Sequence, residues 1–434
     1  MTVCRSTTAF LLPLFSSIGH PTAPRYWTLH PAFHDPWYLT ARSCPSILLL
    51  LKMGVFGMRL SCLQENLSRG LAVVGRAVAI RTTLPITQNV LVSTDQSRLK
   101  LVATNTEISI TTWIGAQIED EGSITLPARL LTELVNSLPS ERIDIAKTPQ
   151  ETGITISCAR FNASMNGIDA DEFPPIPTVE SGMGVKIDPK VLSDAIKHVA
   201  FAAATEDSRP VLTGIKVEIS GDRFTFAAAD GFRLAVYEGK MVEALSEDAS
   251  FIVPARALQE VNRLIAGQEE PVELTVTPTQ SAALFKLDNI EVVTQLLQGA
   301  FPNYSQLIPG SYDTRALVDL EEFARATKSA SIFARDGSGI IRIIVSGGGE
   351  GDPGSISVAS KAEELGENEG KIDAKVDGEE AKIAFNSKYL SDVLEILEET
   401  EVALETTSPS SPGVIRPIGN DSYVHVVMPM FVQW

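Results

Sequence analysis

The side chains that perform acid–base and nucleophilic chemistry are sparse in this sequence and poorly spaced for it. Of five histidines, His20, His30 and His34 fall in the first 57 residues, while His198 and His425 stand as isolated residues far apart. A serine or cysteine nucleophile needs a histidine beside it, held in turn by a third group, and no such trio can be assembled. The four cysteines Cys4, Cys44, Cys62 and Cys158 form no CxxC pair, so neither a zinc site nor a redox motif is indicated. Gly366-Glu-Asn-Glu-Gly-Lys371 approximates a phosphate loop, but it has one spacer too few and runs into Ile372, where the magnesium-binding hydroxyl belongs. The run Gly347 to Gly354 reads as a flexible hairpin loop. Asp169, Asp171 and Glu172 could offer oxygens to a hard cation, yet solvated acids are the rule in a boundary turn. The expectation is a protein with no catalytic residues, no metal and no cofactor.

Charge is the remaining lead. With 36 Lys and Arg against 54 Asp and Glu, the formal charge is −18. A uniformly acidic surface would repel phosphate, but cations gathered on one face of an acidic molecule would still bind it. At 434 residues the chain suggests about three domains on a prior of roughly 150 residues each. Its 44% hydrophobic and 21% charged content fits several packed cores.

Residues 1–57 differ from the rest. They hold one acid, Asp35, against Arg5, Arg25, Arg42 and Lys52, and no helical or strand period runs through them. Two readings stand: upstream sequence read from an early start, with the working chain beginning at Met53 or Met58, or a targeting segment. The apolar stretch Ile47 to Leu51 is far short of the roughly 20 residues a membrane span needs, so no membrane association is expected.

From Met58 the chain repeats. Amphipathic helices are expected at Leu63 to Val74, Pro189 to Ala202 and Leu320 to Ser331. Strand-like runs follow at Val90 to Thr94 and Leu99 to Ile110, at Gly214 to Ile219 and Phe224 to Tyr237, and at Ile340 to Val345 and Ser355 to Ser360. Second helices begin after Thr125-Leu-Pro-Ala-Arg129 and Ile252-Val-Pro-Ala-Arg256, with Pro254 pre-setting a first turn, and after Asn386, which can cap one. The organisation expected is α+β: an extension at 1–57, then domains at 58–181, 182–310 and 311–434, each with two helices on antiparallel sheet. Repeats of this kind could stack as a solenoid or close as a ring.

Several phrases go further: Arg81-Thr-Thr-Leu-Pro-Ile86, Ala229-Asp-Gly-Phe-Arg-Leu-Ala235, the two Pro-Ala-Arg helix starts, Phe301-Pro-Asn-Tyr304 and Val426-Val-Met-Pro-Met430. Together, and in order from Met58 to Met430, they resemble the bacterial β sliding clamp family, the processivity subunits of DNA polymerase III. The resemblance implies a head-to-tail homodimer forming a ring of three-domain subunits, with helices lining the inside. Such a protein slides on double-stranded DNA without sequence preference. Its implied partners are the replicative polymerase catalytic subunit, an ATP-driven clamp loader, and repair and replication proteins carrying a clamp-binding peptide. The implied location is the bacterial cytoplasm, with the nucleoid; a plastid remains the alternative if residues 1–57 are an address.

Three sets of residues acquire roles. The helices carry Arg69, Arg76, Arg129, Lys190, Lys197, Arg256, Arg263, Arg325, Lys328 and Lys388, suited to phosphates rather than bases, with acids such as Glu133 and Asp392 interleaved. Arg81 matches a family loop arginine that touches DNA, and Arg209 lies at a similar loop position. Leu212, Gly231, Phe232, Arg233, Leu234, Pro254, Val426, Met428, Pro429 and Met430 match the family's pocket for a short extended peptide. Methionine's flexible, polarizable side chain suits changing partners. Phe161, Ile332 and Phe333 match apolar subunit contacts. The chain departs from the family at Ala229, Phe232 and Phe431, which leaves the pocket more apolar and its peptide preference open.

Overall fold

A computed structural model describes residues 57–147, 152–179, 181–206, 208–347 and 354–434. Apart from Gly57, both readings of the N-terminal extension lie outside the described residues, as do positions 348–353 of the glycine-rich run.

Among the described residues one order recurs: a strand, a helix, then three strands. The first two units are β1 (Arg59–Leu63), α1 (Gln64–Val74), β2 (Asn89–Asp95), β3 (Arg98–Thr104) and β4 (Ile108–Asp120), then β5 (Ser123–Pro127), α2 (Ala128–Ser137), β6 (Arg142–Lys147), β7 (Gly153–Cys158) and β8 (Phe161–Asn166). The next two are β9 (Met183–Ile187), α3 (Pro189–Ala200), β10 (Gly214–Ser220), β11 (Arg223–Ala229) and β12 (Arg233–Lys240), then β13 (Ala249–Pro254), α4 (Ala255–Leu264), β14 (Val272–Val276), β15 (Ala282–Leu287) and β16 (Ile290–Gln295). The last two are β17 (Thr314–Asp319), α5 (Leu320–Arg335), β18 (Ile340–Ser346), β19 (Gly354–Ala362) and β20 (Gly366–Gly378), then β21 (Ala381–Asn386), α6 (Ser387–Ile396), β22 (Glu401–Thr406), β23 (Gly413–Pro417) and β24 (Tyr423–Val427). Each repeat expected from the sequence is therefore itself double.

The halves of a domain are tied by exchange, because each unit's opening strand pairs with the other unit: β1 with β6 and β5 with β2, β9 with β14 and β13 with β10, β17 with β22 and β21 with β18. Alternation makes the strands: in β10 Ile215, Val217 and Ile219 are buried while Ser220 faces out. Phe224, Phe226, Phe285, Phe323, Phe385 and Tyr423 are all fully buried, and each such side chain contributes about 1.5–3 kcal/mol by leaving water.

Two expected strands are each a pair. The run from Leu99 to Ile110 turns at Asn105, whose Oδ1 accepts from the N–H groups of Glu107 (3.1 Å) and Ile108 (2.9 Å). The run from Phe224 to Tyr237 turns at Asp230, which accepts in the same way from Phe232 (2.8 Å) and Arg233 (3.0 Å). A side-chain oxygen that captures backbone N–H groups competes with the ladder and breaks an otherwise strand-like run. Gly366 to Lys371 belongs to β20, a strand rather than a phosphate loop.

Helix starts follow their caps. Asn386 accepts from Lys388 N at 2.9 Å, as expected, and Asp188 and Asp319 serve α3 and α5 similarly. Pro254 is itself the N-cap, one position before the first helical turn it was expected to occupy. Helix α5 extends a turn beyond Ser331, to Arg335. Each domain's two helices pack together with a small polar contact at corresponding places: Ser68 donates to Asn136 (2.7 Å), Ser193 donates to Asn262 (2.7 Å), and Ser331 and Ser391 lie 3.2 Å apart. The pairs rest on the sheets, α1 on β3 and β4, α3 on β11 and β12, and α5 on β18 to β20.

Candidate functional site

The apolar stripe of each helix is spent on its sheet, which leaves the opposite face to solvent. In α4, Ala255, Ala257, Leu258 and Val261 are buried, and Arg256 and Arg263 are exposed. All twelve cations proposed for phosphate contact are exposed. Five of them already hold carboxylates: Arg76 with Glu260 (3.3 Å), Arg129 with Glu133 (2.8 Å), Lys388 with Asp392 (2.7 Å), Arg263 with Glu260, and Arg325 with Glu321 (2.5 Å). Among the described residues Arg69, Arg81, Lys190, Lys197, Arg256 and Lys328 hold none; Arg69 donates to the Asn66 carboxamide at 2.5 Å. Arg81 lies in the segment before a 3-10 turn at Pro85–Gln88, and Arg209 caps the matching turn at Pro210–Thr213. Arg209 is drawn sideways, donating to Asp230 O at 3.3 Å, so it lies against the turn that carries Gly231 and Phe232.

The domains are joined by their sheets. β4 pairs with β16 across the first boundary, Ile110 opposite Val292 and Thr112 opposite Ile290. β12 pairs with β24 across the second, Leu234 opposite Val426 and Tyr237 opposite Tyr423. In each joint the last strand of one unit meets the last strand of the following domain's second unit. One strand of each kind is left over. Among the described residues β8 pairs only with β7, and the first half of β20 pairs only with β19. Unpaired N–H and C=O groups on an edge invite a further strand. Beside these edges lie Phe161 (57% exposed), Ile332 (57%) and the half-buried Phe333, joined by Leu365 (65%), which sequence reasoning missed because it sits in the acidic hairpin between β19 and β20.

The β12–β24 joint also assembles the candidate peptide pocket. Gly231 to Leu234 from one domain and Val426 to Met430 from the next become neighbours, and Met428 N donates to Phe232 O at 2.8 Å. Gly231 has φ +94°, and a Cβ there would stand 3.1 Å from the Arg209 guanidinium, so the position requires glycine. Phe232 (55% exposed) and Met428 (39%) present apolar surface, while Leu212, Leu234 and Val426 are buried. Leu234 and Val426 pack with Ala229 and Val414 beneath Phe301 and Tyr304, which form the joint's outer lid. Pro254 borders a cavity of about 430 Å³ with Pro210, Thr213 and Leu296, beside the Leu212 turn.

Arg233 departs most from its expected place as a pocket-lining side chain. Only 8% exposed, it is held by Asp392 Oδ2 (2.7 Å), Phe201 O (2.7 Å) and Asp230 Oδ2 (3.1 Å), with its guanidinium over the Tyr389 ring at 4.6 Å. Asp392 is 159 positions away in sequence, so nothing local announces the pair. The two histidines expected to be isolated both pack on Tyr423 here. His198 packs against Tyr423 at 4.9 Å, Tyr423 OH lies 3.2 Å from His425 Nδ1, and Phe201 stacks on His425. Burial first, and then the Arg233 charge, lowers the His425 pKa from 6.5 to about 3, so this ring is a neutral core group and no proton shuttle. Asp169 caps its own 3-10 turn by accepting from Asp171 N at 3.0 Å, and no three metal-ligating side chains converge among the described residues. Burial raises the Cys62 thiol to about 12, which makes it unreactive.

Comparison with known proteins decides the family. Models of the DNA polymerase III beta subunit match in chain order: the N-terminal domain over residues 58–177, the central domain over 186–303 and the C-terminal domain over 305–431. The chain belongs to the DNA polymerase III beta subunit family. It is 34% identical over 395 residues to the beta sliding clamp of Synechocystis, covering 86% of this chain and 99% of that one. With the beta sliding clamp of Staphylococcus aureus it shares 31% identity over 366 residues, covering 82% and 94% of the two. The crystal structure of the DNA polymerase sliding clamp from Bacillus subtilis superposes with a TM-score of 0.82 at 28% identity, covering 87% of this chain and all of that one. The three-domain clamp fold and the role of a non-catalytic processivity subunit, both expected from the sequence, follow from this membership.

Proposed function

We propose that two copies close head to tail into a ring around duplex DNA and tether the replicative polymerase to it. The observation that carries this reading is the repeated joint: β4·β16 and β12·β24 share one geometry, and β20 and β8 are, among the described residues, the strands of those two kinds left without such a partner. Among the described residues β8 and β20 do not pair within one chain, and two copies can supply each other's missing strand and close symmetrically. Register carries over as well. Ser61 pairs with Gln117 and Leu317 with Lys375, each three residues before a helix, so the β4 position of Thr112 corresponds to Gly370 in β20. Phe161 corresponds to Ile290, the first residue after a two-residue hairpin, and would therefore stand opposite Gly370 of the partner subunit. Phe161, Ile332, Phe333 and Leu365 would bury their apolar surface there.

The exposed helix cations, Arg81 and Arg209 would contact phosphates without reading bases, which permits sliding. Acids interleaved among them keep each contact weak and mobile. The joint at Gly231, Phe232, Leu234, Pro254 and Val426 to Met430 would take an extended peptide from the polymerase or from repair and replication proteins. A separate clamp-loading ATPase would open the ring, in the cytoplasm of a bacterium and at its nucleoid. The test is retention on circular DNA after loading with a clamp loader and ATP. Loss within seconds of one double-strand cut, with stable retention before it, is the expected result. Equal release from circle and line would leave a peptide-binding scaffold that touches DNA only by ordinary contact.

A further inference from the structure

Asp392 of α6 lies between the two surfaces just described, and one of its oxygens serves both. Oδ2 accepts from Arg233 Nη1 and from Lys388 Nζ, each at 2.7 Å. The two donors differ in setting: the Arg233 side chain is 7% exposed and the Lys388 side chain 71%. Arg233 carries the connection to the pocket. Its Nε meets Asp230 Oδ2, and Asp230 Oδ1 accepts from the N–H groups of Phe232 and Arg233, which fixes the Gly231–Phe232 turn. Phe232 then stacks on Tyr389, one turn of α6 before Asp392, with ring centroids 6.3 Å apart.

We propose that Asp392 is a positioning residue for the peptide pocket, and that Lys388 reports to it whether DNA is bound. The inference rests on reading Lys388 as a phosphate contact and the 231–234 turn as a pocket wall. With no DNA, Lys388 and Arg233 share Oδ2, and each weakens the other's hold. A phosphate that draws Lys388 away leaves the whole carboxylate charge to Arg233, tightening the turn across the boundary between the second and third domains. A peptide then loses less freedom when it orders Phe232 and Met428, so DNA and peptide favour each other's binding reciprocally.

The experiment measures the affinity of a fluorescent decapeptide ending in Leu-Phe for the full clamp, free and loaded on nicked circular DNA. Wild type should bind about fivefold more tightly on DNA, the lower end of ordinary coupling between sites. Lys388→Gln should bind the peptide with that higher affinity in both states, and Asp392→Asn with the lower affinity in both. Asp392→Glu should restore part of the DNA response, which a merely structural side chain would not do. Lys286→Gln, an exposed cation on β15 outside the phosphate-contacting set and without contact to Asp392, should keep the full response. A wild-type affinity unchanged by DNA, or a Lys388→Gln clamp that still responds, would overturn the coupling while leaving the clamp reading intact. Failure of the peptide to bind free clamp, or of the clamp to stay on DNA, would overturn that reading and the coupling with it.

Discussion

The two internal domain joints share a backbone plan and differ in what they bury. The β4·β16 joint is neutral at its ladder: Thr112 Oγ1 donates to Asn289 O (3.0 Å), Gln295 N donates to Glu107 O (3.0 Å), and Ile110 and Val292 are fully buried. The β12·β24 joint encloses the Arg233 guanidinium, two carboxylates and a histidine. Removing charges from water costs several kcal/mol per ion, offset only when every donor finds an acceptor. The first joint holds without charge buried at its ladder, its ion pair between Arg76 and Glu260 (3.3 Å) lying outside the ladder at partly exposed side chains. The buried charge of the second joint fixes the peptide-facing turn as well as the boundary.

The sharpest way to break this comparison is to remove Arg233. Arg233→Ala leaves Asp230 without its cation and Asp392 with only the exposed Lys388, and breaking a buried pair typically costs about 3–5 kcal/mol. Thr112→Val in the neutral joint should cost about 1 kcal/mol, the net worth of one hydrogen bond. Chemical denaturation of both variants measures the ratio, and equal losses would erase the distinction.

Acid should find the second joint first. His425 titrates near 6.5 when unfolded and near 3 when folded, so the unfolded chain binds the extra proton between those values. The histidine's contribution is complete above pH 6.5 and disappears as pH falls towards 3, at up to about 1.4 kcal/mol per pH unit. His425→Gln should flatten this part of the stability profile, read by thermal melts across that range; an unchanged slope would place the acid sensitivity elsewhere.

The external joint should behave as the internal ones do, but reversibly. Ile332→Asp sets a charge in the apolar contact beside β20 and should weaken dimerisation at least thirtyfold, about 2 kcal/mol, by sedimentation equilibrium. The helix face should respond least per residue. Lys197→Gln with Arg256→Gln should lower the salt dependence of DNA association by about two counterions, roughly one for each phosphate that is no longer neutralised.

Much of this was legible in the sequence because it is local. Helix stripes, the Asn386 cap and the pocket phrases lie within short windows. The doubling of each repeat was not, because the strand exchange between β1 and β6 or β13 and β10 leaves no mark on local alternation. Asn105 and Asp230 conceal turns inside runs that alternate like single strands. Arg233, read as a pocket wall, proved to be bound inward by a carboxylate from another domain, and His198 and His425 share Tyr423 only because the β12·β24 ladder joins their domains. Such contacts depend on how separate units pack, and local windows do not contain them.

The central claim is that β8 and β20 close a third joint of the same kind. It is tested by placing cysteines at Phe161 and Gly370, with Cys4 and Cys44 replaced by serine and Cys158, which stands directly opposite position 161 in the β7–β8 hairpin, replaced by alanine. The buried Cys62, whose pKa is raised by burial to about 12, stays unreactive. A Cβ at Gly370 meets the Ala326 Cβ at 3.4 Å, so the position accepts one. Mild oxidation should yield a species of twice the subunit mass on a denaturing gel and nothing larger, because two crosslinks close the ring. An uncrosslinked monomer, or a ladder of higher multiples, would contradict the account.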